Sequence, residues 1–141
     1  TPLEQYPTAT WQEVLAVNLT APFALTKALM PALRAAPDAS VVFSSSAVGR
    51  RGRAYWGAYA VSKCGVEGLG QVLADELGET TAIRVNCINP GATNTAMRRA
   101  AYPAERPDRN PRPEQIMPAY LWLMSQASAG VNGQSLDAQG R

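Results

Sequence analysis

A chain of 141 residues that is 46% hydrophobic has the size and apolar content of one globular domain, which excludes a disordered segment. Thirteen basic against eleven acidic side chains leave a net charge of +2, too small to argue for a nucleic-acid or membrane partner. Histidine is absent, so no metal site is expected and proton chemistry near neutral pH falls to carboxylates, Lys, Tyr or Cys.

The first residues, TPLEQYPTAT, lack the basic and apolar regions of a signal peptide. No apolar run approaches the roughly 18 residues that span a bilayer, and a soluble protein is expected. WQEVLAVNL places Trp11, Val14, Leu15 and Asn18 at helical spacing after Thr8 or Thr10 as a possible N-cap, and FALTKALMPAL continues the helix. A break is predicted between the two pieces. Pro22 has no N–H to give to the carbonyl four residues back, that of Asn18, which leaves that carbonyl free.

After the turn signal AAPDAS, Val41-Val42-Phe43 reads as a buried strand emptying into Ser44, Ser45 and Ser46. A glycine-punctuated loop, GRRGRAYWG, leads into a helix from about Ala58 to Leu77, with Val61, Gly65, Gly68, Leu69, Val72 and Leu73 as its apolar or small stripe. AIRVNCI reads as a second strand ending at Asn89-Pro90-Gly91. A polar stretch from Thr93 to Pro113 precedes a helix, EQIMPAYLWLMS, and a last short strand lies around GQSLDAQ. Cys64 and Cys87 stand alone and are expected to be small buried thiols, consistent with a reducing, cytoplasmic compartment. Helices and strands alternating in this way form an α/β layer with parallel strands. Three strands make half of a usual doubly wound sheet, and a further part is expected upstream of Thr1.

Tyr59 and Lys63, four apart on a helix, share one face. A fixed ammonium favours the phenolate of a nearby tyrosine, whose free pKa of about 10 is too high for a base at neutral pH. Such a pair suits protonating a nascent alkoxide or deprotonating an alcohol. Ser44 to Ser46 sit where open α/β sheets bind ligands, at the carboxyl end of a strand, and Pro90-Gly91 ends the next strand at the same rim. Tyr-x-x-x-Lys alone is weak, since chance supplies it in roughly 7% of shuffled chains of this composition. A lysine stem lying over an aromatic ring would look the same.

The segments NLTAPFALTKALMP, VVFSSSAVG, YAVSK and RVNCINPGATNTAM, in this order, resemble the C-terminal half of the short-chain dehydrogenase/reductase family, from about Trp11 to Gly133. In that family a catalytic Ser stands three residues before a Gly and thirteen before the catalytic Tyr, as Ser46 stands to Gly49 and Tyr59. The family's helix Asn lies twenty-eight residues before the Ser, which is Asn18 here. The resemblance implies a Rossmann-like doubly wound parallel sheet, of which residues 1–141 form the C-terminal catalytic and substrate-binding part. It implies an NAD(P)-dependent oxidoreductase, with NADP favoured for a reductase. In this reading Ser46 binds the substrate oxygen, Tyr59 is general acid or base, Lys63 holds the nicotinamide ribose and tunes Tyr59, and the Asn18 main-chain carbonyl anchors a relay water. Pro90, Gly91, Thr93 and Thr95 match the family's nicotinamide-contacting turn. A small carbonyl or alcohol substrate and a homodimer or homotetramer are also implied.

The family's glycine-rich turn and Asn-Ala-Gly segment do not occur here. GVEGLG, residues 65 to 70, lies inside the helix after Tyr59 rather than between a strand and a helix, and reads as close packing. Arg50, Arg51 and Arg53 read as a solvated turn, or else as a cationic mouth of the cleft. Arg98, Arg99, Arg106, Arg109 and Arg112 occupy the family's variable substrate lid, where they would suit an acyl thioester. The competing readings are a non-catalytic binding or regulatory module on this scaffold, an inactive fragment, and a nucleic-acid binder. Filled Asn18, Ser46, Tyr59 and Lys63 positions favour the enzyme over the first. No aromatic interleaving supports the last.

Overall fold

Pro22 does not break the first helix. In the computed structural model, which describes residues 1–140, α1 (Thr8–Leu15) runs through a π-helical turn (Ala16–Thr20) into α2 (Ala21–Ala35). The Ala21 N–H reaches five residues back to the Ala16 carbonyl, and this wider turn seats Pro22 in the first turn of α2, where a missing N–H costs nothing. Joined in this way, Thr8–Ala35 is a 28-residue helix holding an 18-residue window of mean hydropathy 1.3, long and apolar enough by length and composition to cross a membrane. The sequence expectation of no such segment divided the helix at Pro22. Within it only Thr26 is buried.

The chain then forms β1 (Ala39–Ser44), a short α3 (Ala47–Arg50), the long α4 (Gly57–Gly78) and β2 (Ile83–Asn89). Within the predicted polar stretch lies α5 (Ala96–Ala101), followed by α6 (Pro113–Leu123) and β3 (Ser135–Asp137). The three strands are parallel in the order β1-β2-β3. Parallel strands joined by crossover helices are covered on their faces, and all of β2 except Asn89 is buried. Among the described residues the outer edge of β1 has no strand beside it.

The core lies between the sheet and α4, where Phe43, Val66, Ala74, Leu77, Val85 and Cys87 pack together. The buried stripe of α4 runs through Ser62, Val66, Gly70, Ala74 and Leu77. Of the predicted stripe, Leu69 and Leu73 pack against this core, whereas Val61 and Val72 are exposed on a second face. The packing role given to the glycines holds at two of them: a Cβ on Gly65 would lie 2.7 Å from Leu19, and one on Gly70 would lie 2.6 Å from the Cys87 sulfur. Cys87 is buried as expected, whereas Cys64 is exposed. Arg84, an arginine inside an apolar strand, is buried and collects the C-terminal end of α6. Its Nη1 donates to the carbonyls of Leu123 and Ser128 at 3.1 and 3.2 Å, and its Nη2 to that of Ser125 at 3.2 Å.

Candidate active site

Lys63 and Tyr59 meet where β1 ends. The Lys63 ammonium donates to the Ser44 carbonyl at 2.9 Å and lies 5.8 Å from the centre of the Tyr59 ring. Burial lowers the lysine pKa below its ordinary value. An amine held this way cannot swing into solvent, and water screens its charge poorly. Ser46 follows two residues after Ser44, half-buried, at the position before α3. The β1–β2 register pairs Ser44 with Ile88, and the Ser45 N–H continues the ladder to the Ile88 carbonyl at 2.7 Å. Ser46 and Pro90 therefore stand at one rim, the carboxyl end of a parallel sheet.

Asn18 lies in the π-helical turn. Its side-chain amide donates to the Ser62 hydroxyl at 3.2 Å, and Ser62, fully buried, donates to the Tyr59 carbonyl at 2.8 Å. This chain of bonds ties the Asn18 side chain to the backbone of α4 at Tyr59. Ser62 was not singled out in the sequence, although a serine three residues after Tyr59 in a helix is placed for such a back-bond.

The turn after β2 is built on Gly91 at φ 71, a left-handed conformation that glycine adopts without strain. The Asn89 side-chain oxygen accepts from the Gly91 N–H at 3.0 Å, and the Gln139 amide donates to the Pro90 and Ala92 carbonyls, both at 2.8 Å. Thr93 is buried, its hydroxyl turned back to the Gly91 carbonyl at 3.3 Å, so the turn presents backbone at the rim. The turn is thus braced by its own bonds, its Pro90, Gly91 and Ala92 carbonyls all accepting from Gln139 or Thr93, at the rim where open α/β sheets take a nucleotide. The Thr95 hydroxyl caps α5, accepting from the Arg98 N–H at 3.1 Å.

Trp56 follows Tyr55 at φ 69 and precedes Gly57 at φ 39, and this reversal lays the indole 5.8 Å from the Tyr59 ring and 6.4 Å from that of Tyr102. The lid thus reaches the catalytic helix through an aromatic chain. Its arginines are largely spoken for. Arg98 grips Glu105 with two bonds of 2.7 Å and stacks 3.8 Å above Tyr102, which with Asn110 holds the Glu105 pKa down at about 2. Arg106 pairs with Asp108 at 2.6 Å, and Arg99 donates to the Asn94 oxygen at 2.7 Å. Arg50 departs from both readings given to it. It is exposed, like Arg51 and Arg53, but its guanidinium is not free in solvent: it bonds to β3.

A phenol, an amine and a serine lie toward the carboxyl rim of a parallel α/β sheet, beside a glycine turn, at the place where open sheets of this class bind ligands. The model of the short chain dehydrogenase family matches residues 1–106, and the chain belongs to that family. It is 51% identical over 138 residues to the uncharacterized oxidoreductase YciK of Escherichia coli K12, covering 98% of this chain and 54% of the relative. A 3-oxoacyl-[acyl-carrier-protein] reductase of Chlamydia trachomatis is 31% identical, covering 92% of this chain and 55% of the relative. A related structure from Escherichia coli CFT073, complexed with NADPH, superposes with a TM-score of 0.94 at 51% identity, covering 99% of this chain and 57% of that one. The chain thus spans about half the length of its relatives.

Proposed function

We propose that the whole protein is a nicotinamide-dependent oxidoreductase that interconverts a carbonyl and an alcohol, with Tyr59 moving the proton. The observation that carries this reading is the Lys63 ammonium held between the Ser44 carbonyl and the Tyr59 ring. An adjacent cation favours the phenolate, and the Ser46 hydroxyl at the same rim orients the substrate oxygen toward the phenol. Lys63 also holds the nucleotide ribose, the Asn18 carbonyl anchors a relay water, and the backbone from Pro90 through Thr93, with Thr95, receives the nicotinamide end. When bound, the nucleotide supplies or accepts the hydride. NADP rather than NAD is supported by the NADPH complex of the 51%-identical relative.

Residues 1–141 serve as the C-terminal part of one Rossmann-type domain. The unpaired edge of β1 and a groove of about 600 Å³ beside it, lined by Val17, Leu25, Leu29 and Val42 among others, support this, because a sheet edge and apolar helix flank of this kind call for a covering layer. Exposed Phe23 and Val72 on α2 and α4 support assembly into a homodimer or homotetramer. Two free cysteines support a cytoplasmic setting.

Nicotinamide oxidation by the whole enzyme over a panel of carbonyls tests the chemistry. Tyr59→Phe is expected to lose about 10²-fold or more in kcat while retaining nucleotide binding. Equal rates in wild type and variant overturn the assignment. A second reading, an acyl thioester substrate, rests on the lid arginines and on the reductase relative's named substrate. Unchanged KM for an anionic thioester in Arg98→Ala/Arg99→Ala would remove it.

A further inference from the structure

The last strand, β3, is three residues long and holds none of the groups assigned above, yet the Ser46 turn, the end of β2 and α4 are all bonded to it. Arg50, the last residue of the turn that follows Ser46, donates from Nε to the Ser135 hydroxyl at 2.8 Å, from Nη2 to the Leu136 carbonyl at 2.8 Å, and from Nη1 to both Asp137 carboxylate oxygens at 3.0 and 3.1 Å. From the opposite side the Asn89 amide donates to the same carboxylate at 2.7 Å, while the Asn89 oxygen receives the Gly91 N–H. A third arm comes from α4. The Ser135 hydroxyl donates to Glu67 at 2.8 Å, and Glu67, buried, stands one helical turn beyond Lys63.

We infer that Arg50 and Asp137 are positioning residues, a brace that fixes the distance between the Ser46 turn and the Gly91 turn. The inference rests on the proposed function, since the two turns hold the substrate oxygen and the nicotinamide end in that reading. Side-chain exposures of 32% for Arg50 and 51% for Asp137 make the ion pair a modest source of stability. Geometry is its product: a planar fork meeting a hydroxyl, a carbonyl and a carboxylate at once admits one orientation, which a lysine point charge cannot reproduce. Reacting groups displaced by about 1 Å lose on the order of 10²-fold in rate, so a brace of this kind acts on turnover more than on folding.

The test uses the whole enzyme with Arg50→Lys, Asp137→Asn and the double variant, read by NADPH-dependent turnover and by hydrogen exchange of the segments 44–50 and 89–93. The expected result is a fall in kcat of about tenfold or more in each single variant, with the double variant no worse than the poorer single one. Exchange should quicken in both segments in either variant; the decisive case is Arg50→Lys, which substitutes a residue of the first segment alone, since Asp137 bonds to both Arg50 and Asn89. The pH profile of kcat should keep its shape, because the proton-moving groups are unaltered. Exchange confined to the substituted segment, or additive losses in kcat, overturns the brace. Coupled exchange with no turnover by the wild type retains the mechanical link but overturns the catalytic role, and the proposed function falls with it.

Discussion

The two long helices of this chain meet opposite fates. α4 buries nine residues in 22, and a glycine or alanine on its inner face lets it approach the sheet closely. The helix from Thr8 to Ala35 buries one, although it is the more apolar by composition. Hydropathy alone would have ranked them the other way. What decides burial is whether a partner layer lies within the chain: α4 has β1 and β2 beneath it, whereas the first helix presents Val17, Leu25 and Leu29 to an open groove. Asn18 sits on that second helix and Tyr59 on the first-named, so the site spans the boundary between a finished face and an unfinished one.

The finished side should be the more fragile. Arg84→Ala removes the buried cation that ties together the carbonyls of Leu123, Ser125 and Ser128 and pairs with Asp38, each carbonyl keeping a further donor, and is expected to cost about 1–3 kcal/mol in urea unfolding of the whole protein. A loss below about 1 kcal/mol would show that water reaches this corner. Gly70→Ala drives a methyl to 2.6 Å from the Cys87 sulfur, and overpacking of that kind costs about 1–3 kcal/mol. Leu25→Ala sharpens the contrast. A side chain 62% exposed should tolerate truncation within about 0.5 kcal/mol, yet in the whole enzyme a loss of about 1–2 kcal/mol is expected, because the groove is covered there. A neutral result would leave the first helix facing solvent and count against the covering layer.

Sequence alone disclosed the site better than the architecture around it. Tyr59 and Lys63 were legible as a pair because a helix forces residues four apart onto one face, whereas the strand end left Ser44 to Ser46 open and only the family resemblance picked out Ser46. The division at Pro22 was misread because a π-helical turn absorbs the missing donor, a solution that the residue pattern does not announce. Arg50 looked like part of a solvated basic run. Its partners Ser135 and Asp137 lie more than eighty residues away, and no local rule connects them. Arg84 did carry a signal, since a cation in an otherwise apolar strand must find acceptors.

The lid extends the comparison to a region ordered by its own charges rather than by either helix. Arg98 and Glu105 pair within one short segment, and the carboxyl pKa falls from an ordinary 4.5 to about 2, first through the hydrogen bond from Arg98. A depressed carboxyl pKa contributes its stabilisation above the unfolded value and loses it only as pH falls through the folded one. The pair is therefore intact throughout the range from pH 8 to pH 5, and the lid should not loosen there. Because the pair is exposed, Glu105→Gln should raise the substrate KM by only about two- to fivefold. The ratio of variant to wild-type KM should stay flat across that range. A ratio that converges toward one between pH 7 and pH 5 would mean that Glu105 protonates far above pH 2, and the lid would then be held by the Trp56–Tyr102 contact instead of by the ion pair.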